Sequence, residues 1–197
     1  MRDDTSARVR ATGVAAAVLS AAAFVLPLCA AAAEGARPTL SASSSAPDPT
    51  LRTYFSRLRP VLANFRAAYA RADAAFTQTD PEEPALLATR LGAVSKDFSA
   101  VASAFRKVTA PESLRGAHRS MVTSIELDSR VFRVYADAWK GFARDGDLRR
   151  LERRRGGARQ LGERAEILQR RWATAVVRAG KAESISVPVT IVEIAGG

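Results

Sequence analysis

The sequence predicts an all-α fold: an up-down-up-down antiparallel four-helix bundle with a short β-prone C-terminal tail. Three observations lead there. Apolar residues recur at alternating steps of four and three from Leu51 to Phe142, the period of helix faces turned towards a common seam. The apolar content, 47% of the chain, is mostly alanine, leucine and valine with only 7% aromatic, and alanine and leucine are strong helix formers. Helix breakers gather in brief stretches such as TDPEEP and TAPE, and short connections between long helices make neighbours antiparallel.

The chain opens with Arg2, Arg8 and Arg10 ahead of an uncharged run from Ala11 to Ala33. Basic residues, an apolar block and a small-residue end form the pattern of a secretory signal peptide, with Ala31 and Ala33 placed for cleavage before Glu34. Residues 1–33 are therefore expected to direct export, leaving the remainder secreted, periplasmic or in the cell envelope. A second reading is an uncleaved anchor, since the run is just long enough to span a bilayer. A third is lipidation at Cys29, ranked lower because Leu28 is not the small residue usual before a lipidated cysteine. Cys29 is the only cysteine, so a cleaved chain would have no disulfide and no thiolate chemistry. Residues 34–49, rich in serine, proline and alanine, read as a flexible spacer.

Residues 50–182 carry the bundle pattern. The first helix presents Leu51, Phe55, Leu58, Leu62, Phe65, Tyr69, Ala72 and Phe76, with Asp48 as cap, Pro49 at the first position and a kink expected at Pro60. The second presents Leu87, Leu91, Val94, Phe98, Val101, Phe105 and Val108 behind a capping stretch with two glutamates. Thr109 and Glu112 have capping-box spacing for a third helix. Its seam is Leu114, His118, Met121, Ile125, Asp128, Phe132, Tyr135, Trp139 and Phe142, stopped by Gly146. Asp147 caps a fourth, less regular helix with Leu148, Leu151, Leu161, Ala165, Leu168, Trp172, Ala175 and Ala179, weakened at Gly156 and Gly157. Residues 183–197 are rich in β-branched side chains, giving a strand seeking a partner edge or an extended tail.

His118, the only histidine, and Asp128 interrupt the third seam. Ten residues of helix separate them by about 15 Å, so each needs its own explanation. Counting from the turns puts Asp128 level with Tyr69, Gly92 and Gly162, where a small polar cavity lined by Asp128 and Tyr69 could hold a ligand. The alternative is a slightly rolled helix, with Leu127 and Val131 as its apolar edge and Asp128 paired at the rim with Arg90 or Arg164. His118 falls level with Trp172 and is counted with Asp128 and Tyr69 as a candidate ligand contact, although a hydrogen-bonded core histidine is the simpler reading. No metal and no cofactor are expected: one histidine is too few for a zinc or di-iron site, and no haem-attachment motif occurs. No nucleophile elbow, phosphate loop or zinc-protease motif points to an enzyme.

The net charge is +10, which favours anionic partners. Charge concentrates in RDGDLRRLERRRGGAR, where Arg149, Arg150, Arg153, Arg154, Arg155 and Arg159 follow Arg144. Arginine suits bidentate contacts with carboxylate or phosphate. Export and the shortage of aromatics in the cluster argue against nucleic acid. The expected partner is an anionic envelope polymer, lipid headgroups or an acidic protein, unless the cluster is simply a solvated face. Together these features predict a non-enzymatic envelope binding or adaptor module, with a small-ligand carrier or sensor around Asp128 as the alternative. Oligomeric state is open at this level.

Overall fold

The computed structural model describes residues 49–80 and 82–196. The expected signal peptide, nearly all of the spacer and the capping residue Asp48 lie outside them. Five helices pack against one another: α1 (Pro49–Thr77), α2 (Pro84–Arg106), α3 (Arg115–Asp145), α4 (Leu148–Ala182) and α5 (Val189–Gly196). A single 3-10 turn, Glu112–Leu114, precedes α3, and no strand occurs among the described residues. None of these helices is long and apolar enough to cross a membrane.

The predicted seams of α1 and α2 are the core, with Leu58, Leu91, Phe98 and Phe105 fully buried. Tyr69 is the exception: the residue is 38% exposed, although its hydroxyl turns in to the buried Asp128. Helix α1 continues through Pro60. The most extensive packing is of α3 against α2 on one side and against α4 on the other. This central position explains why both proposed edges of α3 are inside: Leu127, Asp128 and Val131 are all buried.

Small residues let α2 and α3 approach. Ala88, Ser95 and Ala102 recur every seven residues on α2 and are all buried. Ser95 Oγ donates to the Ser129 carbonyl at 2.8 Å, and Ser129 Oγ donates to the Ser95 carbonyl at 2.9 Å. Ser99 Oγ lies 2.8 Å from Ser129 Oγ. The Ser95 and Ser129 hydroxyls thus satisfy themselves on the facing backbone, which offsets the cost of burying them.

Helix ends follow the sequence in part. Gly146 takes the left-handed conformation at φ 65°, and Asp147 accepts from the Arg150 amide as the cap of α4. Helix α4 runs unbroken through Gly156 and Gly157, and its buried line is Leu151, Ala158, Ala165, Gln169, Trp172, Val176 and Gly180. That face is rotated from the expected one, leaving Leu148 exposed. The capping box at Thr109 and Glu112 does not form. Pro111 stands at the cap position, without a side-chain hydrogen bond, and the 3-10 turn replaces the first helical turn. Helix α2 likewise starts at Glu83 and Pro84 with no side-chain cap.

The tail corrects the β-prone expectation: Val189–Gly196 is helical. Its β-branched residues have no free sheet edge to pair with, whereas helical spacing lets Ile191 bury completely and brings Ile194 and Ala195 against the core. Glu193 pairs with Arg66 of α1, so α5 touches α1 as well as α4. The turn back depends on Gly180. A Cβ there would sit 2.3 Å from Val187 Cγ2 and 3.1 Å from the Ile185 carbonyl oxygen. Gly180→Ala is therefore expected to destabilise by about 1–3 kcal/mol through overpacking. Proteolysis should then cut the 183–196 segment faster while the rest of the bundle resists. Unchanged protection of that segment would show that the tail does not need this close approach.

Candidate functional site

Asp128 and Tyr69 do meet, as the sequence suggested. Tyr69 Oη on α1 donates to Asp128 Oδ2 on α3 at 3.0 Å. The third member is Gln169 on α4, whose Nε2 donates to the same oxygen at 2.9 Å and lies 3.2 Å from Tyr69 Oη. Three helices are thus tied together by one carboxyl group. The predicted glycine neighbours are not there: Gly92 faces Ala136, and a Cβ on Gly162 would meet nothing within 4 Å. Nor does Asp128 pair with a rim arginine. Arg90 donates instead to the Gln78 carbonyl and to Thr79 Oγ1, and no ion pair involves Arg164 among the described residues.

The electrostatic consequence is strong. Burial without a cation raises the Asp128 carboxyl to about 7, although the bonds from Tyr69 and Gln169 both favour its charged form. Burial also pushes the Tyr69 phenol well above its usual value, with the Asp128 charge adding to the effect. Near neutral pH the carboxyl therefore sits between its protonated and ionised forms.

His118 belongs to a second, separate chain at the other end of the bundle. Trp172 Nε1 donates to Tyr54 Oη at 3.2 Å, and Tyr54 Oη lies 3.0 Å from His118 Nδ1. Because the phenol oxygen accepts from tryptophan, its own proton is free for Nδ1, which leaves the other ring nitrogen as donor to the Phe105 backbone. The Phe105 ring packs on the imidazole at a centroid distance of 4.8 Å. Burial lowers the His118 pKa, partly offset by the Phe105 bond, and pushes Tyr54 up to about 12. Bonded to Tyr54 and packed against the Phe105 ring, His118 holds helices together. Among the described residues no group of three histidine, aspartate or glutamate side chains stands together as a metal cage.

A shallow furrow runs along the outward face of α4, walled by Glu163, Glu166, Ile167, Arg171, Thr174 and Arg178 among its lining residues. Asp128, Tyr69 and His118 do not line it. The arginine cluster is spread over the first turns of α4. Arg144 and Arg150 share Asp145, whose pKa is lowered chiefly by the Asp147 amide; desolvation opposes this, and the two arginines add smaller lowering effects. Arg155 is half-buried and pairs with Glu152. Arg159 is exposed, and together with Arg155 it offsets the burial that raises the Tyr135 phenol. Arg149, Arg153 and Arg154 are exposed without an ion-pair partner among the described residues.

Sequence reasoning missed Gln169 and the Ser95–Ser129 pair. Two buried polar atoms, Trp139 Nε1 and Glu183 Oε2, have no partner among the described residues. Comparison with protein families, with curated proteins and with solved structures finds no match to this chain.

Proposed function

We propose that this protein is an exported, non-enzymatic binding or adaptor module of the cell envelope that engages an anionic partner through the first turns of α4. An up-down-up-down bundle is its proposed frame. Supporting that topology, Tyr54 near the start of α1 meets His118 early in α3 and Trp172 late in α4, while Phe76 near the end of α1 meets Tyr135 late in α3. Neighbours in sequence then run in opposite directions. The observation that carries the function is the sorting of arginines: Arg144, Arg150 and Arg155 are used up on local acids, whereas Arg149, Arg153 and Arg154 present unpaired guanidinium groups to solvent. Their fork geometry suits carboxylate or phosphate oxygens.

Replacing Arg149, Arg153 and Arg154 with glutamate is expected to abolish association with envelope fractions without loss of helical signal. The parent's association should weaken steeply as salt rises. Association that ignores both the substitutions and the salt would rule the electrostatic reading out.

The second reading, a small-ligand carrier around Asp128 and Tyr69 with His118 further along the bundle, is favoured by one observation. The buried Asp128 carboxyl has neutral donors and no cation beside it. A native mass spectrum of the protein recovered from its own envelope tests it. A reproducible extra mass lost in Asp128→Ala supports a carrier, and a bare chain opposes one.

A further inference from the structure

The unpaired arginines of α4 continue beyond its first turns. At 3.6 residues per turn, Arg149, Arg153, Arg164, Arg171 and Arg178 fall within roughly 60° of arc, opposite the buried line of Leu151, Ala158, Ala165 and Trp172. All five are exposed and have no ion-pair partner among the described residues. Three glutamates of α4 stand on one flank, where Glu152 pairs with Arg155, Glu166 pairs with Arg170, and Glu163 has no ion-pair partner among the described residues. Between the arginines the same face carries Gln160, Thr174 and Ile167, all exposed, with exposed Glu163 at its edge beside Thr174. Elsewhere in the bundle Arg66 pairs with Glu193, Arg71 with Asp97 and Arg106 with Glu126, whereas Arg52, Arg57, Arg59, Arg119, Arg130 and Arg133 are exposed without an ion pair among the described residues.

We infer that this face of α4 is a docking strip for a linear anionic polysaccharide that carries a carboxylate on alternate sugars. The inference rests on the anionic-partner reading above and moves the contact from the first turns of α4 to its whole length. Charge spacing selects the partner. Arg164, Arg171 and Arg178 are seven residues apart, which sets them roughly 10 Å apart along the axis, and the strip from Arg149 to Arg178 spans about 43 Å. Duplex nucleic acid carries a charge every ~1.7 Å counted over both strands, so a length matching this strip holds roughly 25 phosphates in all. A polymer whose charged sugars alternate with neutral ones matches such a sparse ladder far better. Gln160 and Thr174 supply hydrogen bonds for the neutral sugars. The face has no exposed aromatic ring on which bases could stack. Ile167, its one large apolar side chain, is too little to hold a helix in a bilayer surface.

The test uses the full chain and hyaluronan oligosaccharides of graded length, which alternate glucuronate with a neutral sugar, in low-salt titrations. Affinity is expected to rise with length until the oligosaccharide spans Arg149 to Arg178, and then to level off. Arg164→Gln, Arg171→Gln and Arg178→Gln together should weaken binding about tenfold, the combined effect of three exposed ion pairs. Circular dichroism should be unchanged, because all three side chains are in solvent. Lysine at the same three positions should restore part of the binding. If only the Arg149, Arg153 and Arg154 substitutions weaken it, the strip is overturned and the first-turn reading stands. If neither set does, both fall. Tighter binding to duplex DNA of matched length, or to vesicles of anionic lipid, overturns the polysaccharide assignment.

Discussion

Asp128→Asn is expected to be more stable than the parent chain in mildly alkaline buffer and to remove much of the parent's loss of stability as pH rises. The carboxyl has a folded value of about 7 against 3.8 in its ordinary state. Between those values the native state keeps a proton that the unfolded chain has released. Stability contributed by this group is therefore full below 3.8, falls as pH rises through the window, and is lost above 7. At about 1.36 kcal/mol per unit, the upper bound is about 4 kcal/mol. The amide oxygen of asparagine can still accept from Tyr69 and Gln169, but it never ionises. His118 acts in the opposite sense: its folded value is lowered beneath 6.5, so its contribution is present above 6.5 and is lost as pH falls through the folded value. A single melting curve mixes the two. The difference between parent and Asp128→Asn melting temperatures, followed across the acid-to-neutral range, isolates the carboxyl because His118 is common to both. Parallel curves would mean that Asp128 ionises freely in the folded protein, which overturns a desolvated carboxyl.

The same residue shows how far sequence reaches in this fold. Asp128 and Tyr69 could be paired because each occupies a seam position, and periodicity alone sets which seam positions face inward. Gln169 could not, because counting the register of α4 from the turns takes the helices to be equal in length. They have 23, 31 and 35 residues from α2 to α4. With unequal ends, the residue opposite Asp128 moves from Gly162 to Gln169, two turns along. Ser95 and Ser129 hide for another reason: a hydroxyl on a helix looks like surface, and only its seven-residue alignment with Ala88 and Ala102 reveals a close-packed face. In the tail, β-branched composition suggested a strand, but a strand needs an edge and the bundle offers only a groove between helices, which Ile191 fills as part of a helix. For the arginines, local density points to the first turns of α4, while helical phase joins Arg149 and Arg153 to Arg164, Arg171 and Arg178. Phase adds what density misses, because it lines up five exposed arginines without ion-pair partners among the described residues along one face of α4.

Trp172→Ala is expected to be among the most damaging single changes in the bundle, costing about 3–5 kcal/mol. Trp172 is wholly buried, and its ring stands edge-on to Phe105 at 5.6 Å between centroids. For a domain of this size the melting temperature should drop by roughly 10 °C. Volume is only part of the effect, and Trp172→Phe separates the parts. Phenylalanine keeps an aromatic ring against Phe105 but removes the Nε1–H that Tyr54 Oη accepts. That variant should cost about 1–2 kcal/mol. Tyr54→Phe should cost more than the loss of one bond, because it leaves both Trp172 Nε1 and His118 Nδ1 without the phenol that joins them. In the double variant Trp172→Phe/Tyr54→Phe one orphaned donor is gone, so the two costs should fall short of adding, by roughly 0.5–1 kcal/mol or more. Strict additivity would show that tryptophan, tyrosine and histidine act as separate packing residues. A shortfall would show that this end of the bundle is pinned by a single chain of hydrogen bonds across α4, α1, α3 and the end of α2. His118 then has a complete explanation without a ligand, and the mid-bundle carboxyl at Asp128 remains a buried acid with no cation beside it among the described residues.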